Sequence, residues 1–347
     1  MLRKASAITL SCFFLACSGS ESAAPAAPAD AAADVMADAG SSACDKTSAA
    51  SLRDCVQRSA LESDMQFVAK PRSPGSAHWQ AVQDLCKSRF EQYGFSVNLQ
   101  NYATGVNVVG IKQGTDKASE EVIVSAHYDH ISGCAGADDN ATGVAGVLET
   151  ARVLAGATFS RTLVLACWDE EESGLIGAEA YAAQAKSAGS NIIAMYSLEM
   201  LGYFTTTPNT QKIPQGIDLL FPQQYKEIEA AGFVGDFLTL IPDTSAAFAA
   251  ARVADHAKQI GLRTVTLEIT DSLKSNPLAQ DVRRSDHAAF WDQDFPAMLL
   301  TDSSEFRNPN YHCRNGTADT VDTLDMAFLT NNTRVVVGST VDLLELK

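Results

Sequence analysis

The sequence predicts an α/β fold: a mostly parallel mixed sheet flanked by helices on both faces. Three observations lead there. Residues 122–126, 162–168 and 192–198 are nearly continuous apolar runs, as expected of strands buried on both faces. Segments with apolar residues at helical spacing alternate with them, and that alternation argues for parallel strands joined by helices. With 347 residues, 46% hydrophobic and 20% charged, the chain can bury a large core. Its composition excludes a disordered, collagen-like or coiled-coil bulk.

Taken in order, residues 1–17 read as an export signal. Arg3 and Lys4 precede a short apolar run at 8–15, too short to span a bilayer as a stable helix. Phe14-Leu15-Ala16-Cys17 has the form of a lipobox, with Phe14 where Leu is preferred. Cys17 is then the lipid-bearing first residue of the mature chain; plain cleavage nearby is the alternative. The expected location is exported: periplasm, outer membrane through the lipid, or extracellular. Residues 18–43, rich in Ala with Pro25 and Pro28, form a linker with no large apolar periodicity.

Residues 44–347 hold the folded domain. Apolar spacing predicts helix over 47–69 and 77–93, separated by the turn-rich 71–76 and stopped at Gly94. Strands are expected at 95–100, 107–112 and 122–126. Then follow helix 143–155, strand 162–168, helix 175–188 and strand 192–198. Residues 203–240 carry Pro, Gly and Tyr with weak periodicity and read as a long excursion near the site. Helix 246–260, strands 263–267 and 297–301, and mostly helix over 322–345 complete the chain.

The formal charge of −16, from 42 acids against 26 bases, excludes a nucleic-acid partner, whose affinity rests on Lys and Arg. It also disfavours docking on anionic lipid, which leaves the lipid on Cys17 as the membrane contact. Eight Cys occur; Cys12 lies in the signal. Cys44, Cys55, Cys86, Cys134, Cys167 and Cys313 remain beyond Cys17, with 15 possible full pairings. Cys167, inside a strand, reads as a buried free thiol. No CxxC occurs, which argues against a thiolate zinc site.

Ligands of open α/β sheets bind beyond the carboxyl ends of the strands. After 122–126 come His127-Tyr128-Asp129; after 162–168 come Asp169, Glu170, Glu171 and Glu172; after 192–198 comes Glu199; beyond 297–301 come Tyr311 and His312. Asp138-Asp139-Asn140 precede a helix. So many carboxylates at one edge cannot all ionise without counter-charge, and few bases lie near them. A divalent metal is the natural counter-ion, and mixed His and carboxylate donors suit zinc. A surplus carboxylate such as Asp139 can bridge two ions.

Four blocks now carry a resemblance: Ser125-Ala126-His127-Tyr128-Asp129-His130; Gly136-Ala137-Asp138-Asp139-Asn140-Ala141-Thr142-Gly143; Glu171-Glu172-Ser173-Gly174-Leu175; and Ser285-Asp286-His287 with Asn308-Pro309-Asn310-Tyr311-His312. In order and spacing the chain, over about 50–345, resembles the co-catalytic zinc exopeptidases of metallopeptidase family 28. That group includes secreted leucyl-type aminopeptidases and relatives in the glutamate carboxypeptidase and glutaminyl cyclase branches. Residues 71–76 and 107–110 resemble the family's entry region. The resemblance implies a zinc exopeptidase, phosphorylase/hydrolase-like fold and two zinc ions. Asp139 would bridge them, Glu172 and His312 would complete one, and His127 and Glu199 the other. Asp129 would hold the imidazole of His127, and Glu171 would act as general base and acid. A cis peptide at Asp139-Asn140 is implied. So is hydrolysis of the N-terminal bond of a peptide substrate.

Two departures stand out. Glu199 replaces the Asp of the best-known aminopeptidases. The tyrosine that some relatives place before Ser285 is missing, with Val282, Arg283 and Arg284 there instead; Tyr311 is a substitute for carbonyl polarisation. A single-zinc glutaminyl cyclase-like acyltransferase and a carboxypeptidase are the alternatives. The first needs one metal; the second needs an Arg such as Arg283, Arg284 or Arg307 for the terminal carboxylate. A non-catalytic module would have lost a ligand or the base, and none is lost. Asp138 reads as a cap or supporting residue, and Ser285, Asp286 and His287 as pocket residues. His130 is expected in a loop, His78 and His256 at the surface, and Trp79 and Trp168 in the core. Cys134 and Cys313 flank site loops and are paired as a candidate disulfide.

Overall fold

The structure is a computed structural model and describes residues 44–347. The signal, the lipid site at Cys17 and the linker lie outside the described residues. Among the described residues one eight-stranded sheet forms: β1 (Ser96–Asn101), β2 (Val106–Lys112), β3 (Lys117–His127), β4 (Arg161–Trp168), β5 (Asn191–Glu199), β6 (Phe237–Pro242), β7 (Arg263–Thr266) and β8 (Ala297–Thr301). Their spatial order is β1-β2-β4-β3-β5-β8-β6-β7. The pairs β3–β4, β3–β5, β5–β8 and β6–β7 are parallel, and β1–β2, β2–β4 and β6–β8 antiparallel. The centre, β4-β3-β5-β8, is therefore wholly parallel.

The apolar runs predicted this because nearly every side chain in them is buried, Ile193 alone being half-buried. Val122, Val124 and Ala126 of β3, with Leu163, Leu165 and Cys167 of β4, pack on one face. Ile123, Val164, Ala166 and Trp168 pack on the other. Helices Ala77–Gln92, Gly143–Leu154, Ala247–Ile260 and Met326–Leu344 cover the first face. Helices Ile176–Ala188, Pro222–Ala230 and His287–Trp291 cover the second. Met326–Leu344 starts where Asp325 accepts the Ala327 and Phe328 N–H groups, so it begins four residues later than its apolar pattern. No helix of the described residues is long and apolar enough to cross a membrane.

Three expectations are corrected. Residues 47–69 form two helices, Ala49–Arg53 and Arg58–Val68, with Cys44 and Cys55 joined by a disulfide at the break. The 203–240 excursion contains helices Ile217–Leu220 and Pro222–Ala230, and its end opens β6, which is buried throughout. β6 pairs through non-local contacts with β8 and β7, which local periodicity does not reveal. His256 is buried, not at the surface: its Nε2 lies 3.0 Å from Asp342 Oδ2, and its ring occupies the space left by Gly338, where a Cβ would meet Nδ1 at 2.6 Å. His78 is half-buried. Trp168 is core, and Trp79 donates to Asp169 at 2.8 Å.

Candidate metal centre

β3 has β4 on one side and β5 on the other, so the connections leaving its carboxyl end diverge. Such a switch point leaves a crevice at that edge. His127 ends β3, Glu199 ends β5, and Glu171 and Glu172 follow β4. Asp139 lies on the turn 137–142, entered through Gly136 at φ 58°, a left-handed conformation. The Asp139-Asn140 peptide is cis.

Local hydrogen bonds hold that turn in place. Asn140 Nδ2 donates to Leu198 O at 2.8 Å, and its Oδ1 accepts from Met200 N at 3.2 Å. The turn is thereby tied to the strand end that carries Glu199. Asp138 accepts from Gly202 N at 2.9 Å and from Asn308 Nδ2 at 2.7 Å, which links the turn to the segment preceding His312. Asp319 accepts the N–H groups of Asp138 and Asp139 at 3.0 and 3.2 Å. His312 and Cys313 both adopt positive φ, and Cys313 is joined to Cys134. That disulfide clamps the loop carrying His312 against the loop that follows β3.

The result is a symmetric arrangement about one carboxylate. Asp139 Oδ1 lies 3.3 Å from His127 Nε2, which is 3.3 Å from Glu199 Oε2. Asp139 Oδ2 lies 3.0 Å from His312 Nε2, which is 3.1 Å from Glu172 Oε2. Each oxygen of Asp139 thus faces its own His–carboxylate pair. Donors bound to one tetrahedral zinc at about 2.0–2.1 Å stand about 3.3 Å apart, so both triplets have the spacing of a ligand set. His312 Nε2, although buried, makes no hydrogen bond with the oxygens it faces. A buried polar atom in that state needs a partner, and a cation is one. On these observations the residues fit two metal ions.

Electrostatics agree. Burial opposes charge on His127, yet the Glu199 and Glu171 carboxylates push its pKa well above the usual histidine range. Burial would raise Asp139, but the three surrounding histidines hold its carboxyl well below the usual range. Burial, then Glu199 and Asp286, push Glu171 well above the carboxylate range. Asp286, buried with neither oxygen hydrogen-bonded, is pushed up to about 8 by desolvation. Carboxylates outnumber the cationic side chains beside them, an imbalance that bound metal ions would offset.

Asp129 does more than face His127. Its Oδ1 is 3.4 Å from His127 Nδ1, and its two oxygens accept the N–H groups of Glu171 and Glu172 at 3.1 and 3.3 Å. Ser285 donates to Glu199 Oε2 at 2.9 Å and fixes the longer side chain. The roles of two residues escaped the sequence reading. His130 lies in the loop after β3, as expected, but it is fully buried there, with Nδ1 2.7 Å from Glu172 Oε1. Arg72, also fully buried, donates to the carbonyls of Tyr128, Ala135, Gly136 and Asp139. Its only sequence signal was its place in the turn at 71–76.

Residues 107–234 match the model of peptidase family M28.

Over those residues the chain is similar to peptidase family M28.

The curated relatives that match the chain include two at about 30% identity. An uncharacterized protein, YfbL, of Escherichia coli (strain K12) is 30% identical over 221 residues, which cover 59% of this chain and 62% of the relative. Leupeptin-inactivating enzyme 1 of Streptomyces exfoliatus is 31% identical over 166 residues, 46% of this chain and 37% of that enzyme. The chain thus spans less than two thirds of the length of these relatives. Among solved structures, the LapA aminopeptidase of Legionella pneumophila superposes on this chain with a TM-score of 0.64 at 19% identity, covering 86% of this chain and 74% of LapA. That likeness shows the fold.

Proposed function

We propose that the chain is a two-zinc metallopeptidase that removes N-terminal residues from peptides. The observation that carries this is Asp139, whose two oxygens face separate His–carboxylate pairs. His127, Asp139 and Glu199 would hold one ion, and Asp139, Glu172 and His312 the other. Zinc bound there supplies Lewis acidity toward a carbonyl and toward water.

The residues of the chain do the rest. Asp129 fixes the backbone of Glu171 and leaves its carboxyl free at the wall of a cavity of about 920 Å³, counted to its open mouth. There Glu171 accepts the proton of the attacking water and passes it to the leaving amine. Glu171, Glu199 and Asp139 make one end of the cavity acidic, which favours a cationic α-amino group; Ile213, Ile217, Phe237, Ile241 and Leu267 supply apolar lining, with Lys212, Arg284 and Glu305 also on the wall. Tyr311, beside the cavity and stacked on His312 at 3.8 Å, is the group placed to polarise a carbonyl.

The carboxypeptidase alternative loses its anion site. Arg283 pairs with Asp292, Arg284 with Glu305, and Arg307 is buried against Gln211 and Phe237. The single-metal cyclase reading leaves the His127–Glu199 pair without a task. The disulfides Cys44–Cys55 and Cys134–Cys313 favour an exported, oxidising location. The test compares one peptide with a free N-terminus against its N-acetylated form, using the full chain loaded with zinc, with and without chelator. Cleavage of the free form alone, lost with chelator, supports the proposal; equal cleavage of both contradicts it.

A further inference from the structure

We propose that His130 is a positioning residue of the metal centre. Its Nδ1 holds the Glu172 oxygen that faces away from His312, and so keeps the other oxygen aimed at the metal. The inference rests on the reading of Asp139, Glu172 and His312 as ligands.

The two oxygens of Glu172 have different neighbours. Oε2 lies 3.1 Å from His312 Nε2, inside the ligand triplet. Oε1 lies 2.7 Å from His130 Nδ1, on the other side. That distance separates two roles for His130. Two nitrogen and oxygen ligands of one tetrahedral zinc stand about 3.3 Å apart, whereas 2.7 Å is the separation of a charge-assisted N–H···O⁻ pair. The contact to Asp139 Oδ1, at 3.8 Å, is too long for a hydrogen bond. His130 Nδ1 is therefore placed as a donor to Glu172, not as a third ligand.

The surroundings support the pairing. His130 is fully buried, and its Nδ1 and Glu172 Oε1, 2.7 Å apart but not aligned as a hydrogen bond, have no hydrogen-bond partner elsewhere. Buried polar atoms in native proteins are paired. A small rotation of the ring brings the Nδ1–H onto the line to Oε1. Space for the ring comes from Gly136, where a Cβ would lie 2.5 Å from His130 Cδ2 and would also meet the carbonyl of Asp139. The ring stands edge-on to that of His312, 5.7 Å away and inclined at 71°. Its backbone N–H donates to Arg72 O at 3.3 Å. His130 is thus seated outside the lining of the cavity, against the carboxylate of Glu172. Partners of metal-bound carboxylates and histidines typically contribute 10–100-fold to metal affinity.

The test uses the full chain and zinc alone, titrated against a competing chelator, with cobalt(II) absorption as a second readout. H130A should weaken one of two zinc sites 10–100-fold, leave the other unchanged, and alter the cobalt spectrum. H130N places its amide where Nδ1 stands and should restore affinity to within a few-fold. H130Q places its amide where Nε2 stands and should not. If H130A does not fold, the contrast between H130N and H130Q carries the test. Wild-type affinity in H130A overturns the proposal. Equal loss in H130N and H130Q also overturns it, because the imidazole would then be a ligand itself. A wild-type chain that binds no zinc would instead overturn the ligand reading beneath it.

Discussion

Removing the carboxylate of Asp129 should damage the centre in two measurable ways. Asp129 is fully buried, and its oxygens accept the Glu171 and Glu172 N–H groups while facing His127 Nδ1. Asp129→Ala leaves two buried N–H groups unpaired, at about 1–3 kcal/mol each, so the metal-free protein should lose about 2–6 kcal/mol. For a domain of this size that lowers Tm by about 4–10 °C. Asp129→Asn keeps the shape and one acceptor but loses the charge that orients His127. It should cost less stability and still weaken zinc binding 10–100-fold. Denaturant unfolding of the metal-free protein gives the first quantity, and zinc titration against a chelator gives the second. An Asp129→Ala protein within about 0.5 kcal/mol of wild type, with zinc affinity within twofold, would refute this account of Asp129.

Other outcomes follow from the same geometry. Glu171→Gln should retain both zinc ions by elemental analysis while peptide hydrolysis falls about 10²–10⁴-fold; unchanged turnover would remove Glu171 from the mechanism. Replacing Cys134 and Cys313 by Ser opens a closure of 179 residues, for which chain entropy predicts about 5 kcal/mol and native disulfides typically give 2–5. Urea unfolding should show that loss together with weaker zinc binding at the site next to Cys313, and no change in either would contradict the clamp. Asp169 has its pKa raised from 3.8 to about 6, mainly by burial. The folded chain then holds a proton that the unfolded chain has released between those values, so stability falls as pH rises through this window, by about 3 kcal/mol at most. Asp169→Asn should flatten that segment of the stability–pH curve, and an identical slope would show that Asp169 is not its source.

The fold and the clustering of the proposed ligands were legible for one reason. The carboxyl-terminal halves of β3, β4 and β5 are buried throughout, so the polar residues that end or closely follow each apolar run mark the sheet edge. His127, Glu171, Glu172 and Glu199 stand there. Asp139 and His312 were legible only from their blocks, because each sits on an irregular segment held by distant groups. What stayed hidden is what depends on non-local contact. β6 is a six-residue run whose partners β7 and β8 come later in the chain, and its Pro242 and the turns before it read as loop. Arg72 bonds to backbone carbonyls, which every residue carries, so no side-chain pattern marks its partners. His130 and His256 owe their burial to Gly136 and Gly338, whose missing side chains make room for the rings. Neither relation is visible along the sequence.

The central claim is that one carboxylate joins two metal sites. The most direct test is the zinc content of the full chain after saturation and desalting, measured by elemental analysis beside Asp139→Asn. The account predicts two zinc ions per wild-type chain and loss of both sites' tight binding in Asp139→Asn. A single tightly bound zinc in the wild type, kept when His127 or Glu199 is replaced by Ala, would contradict it.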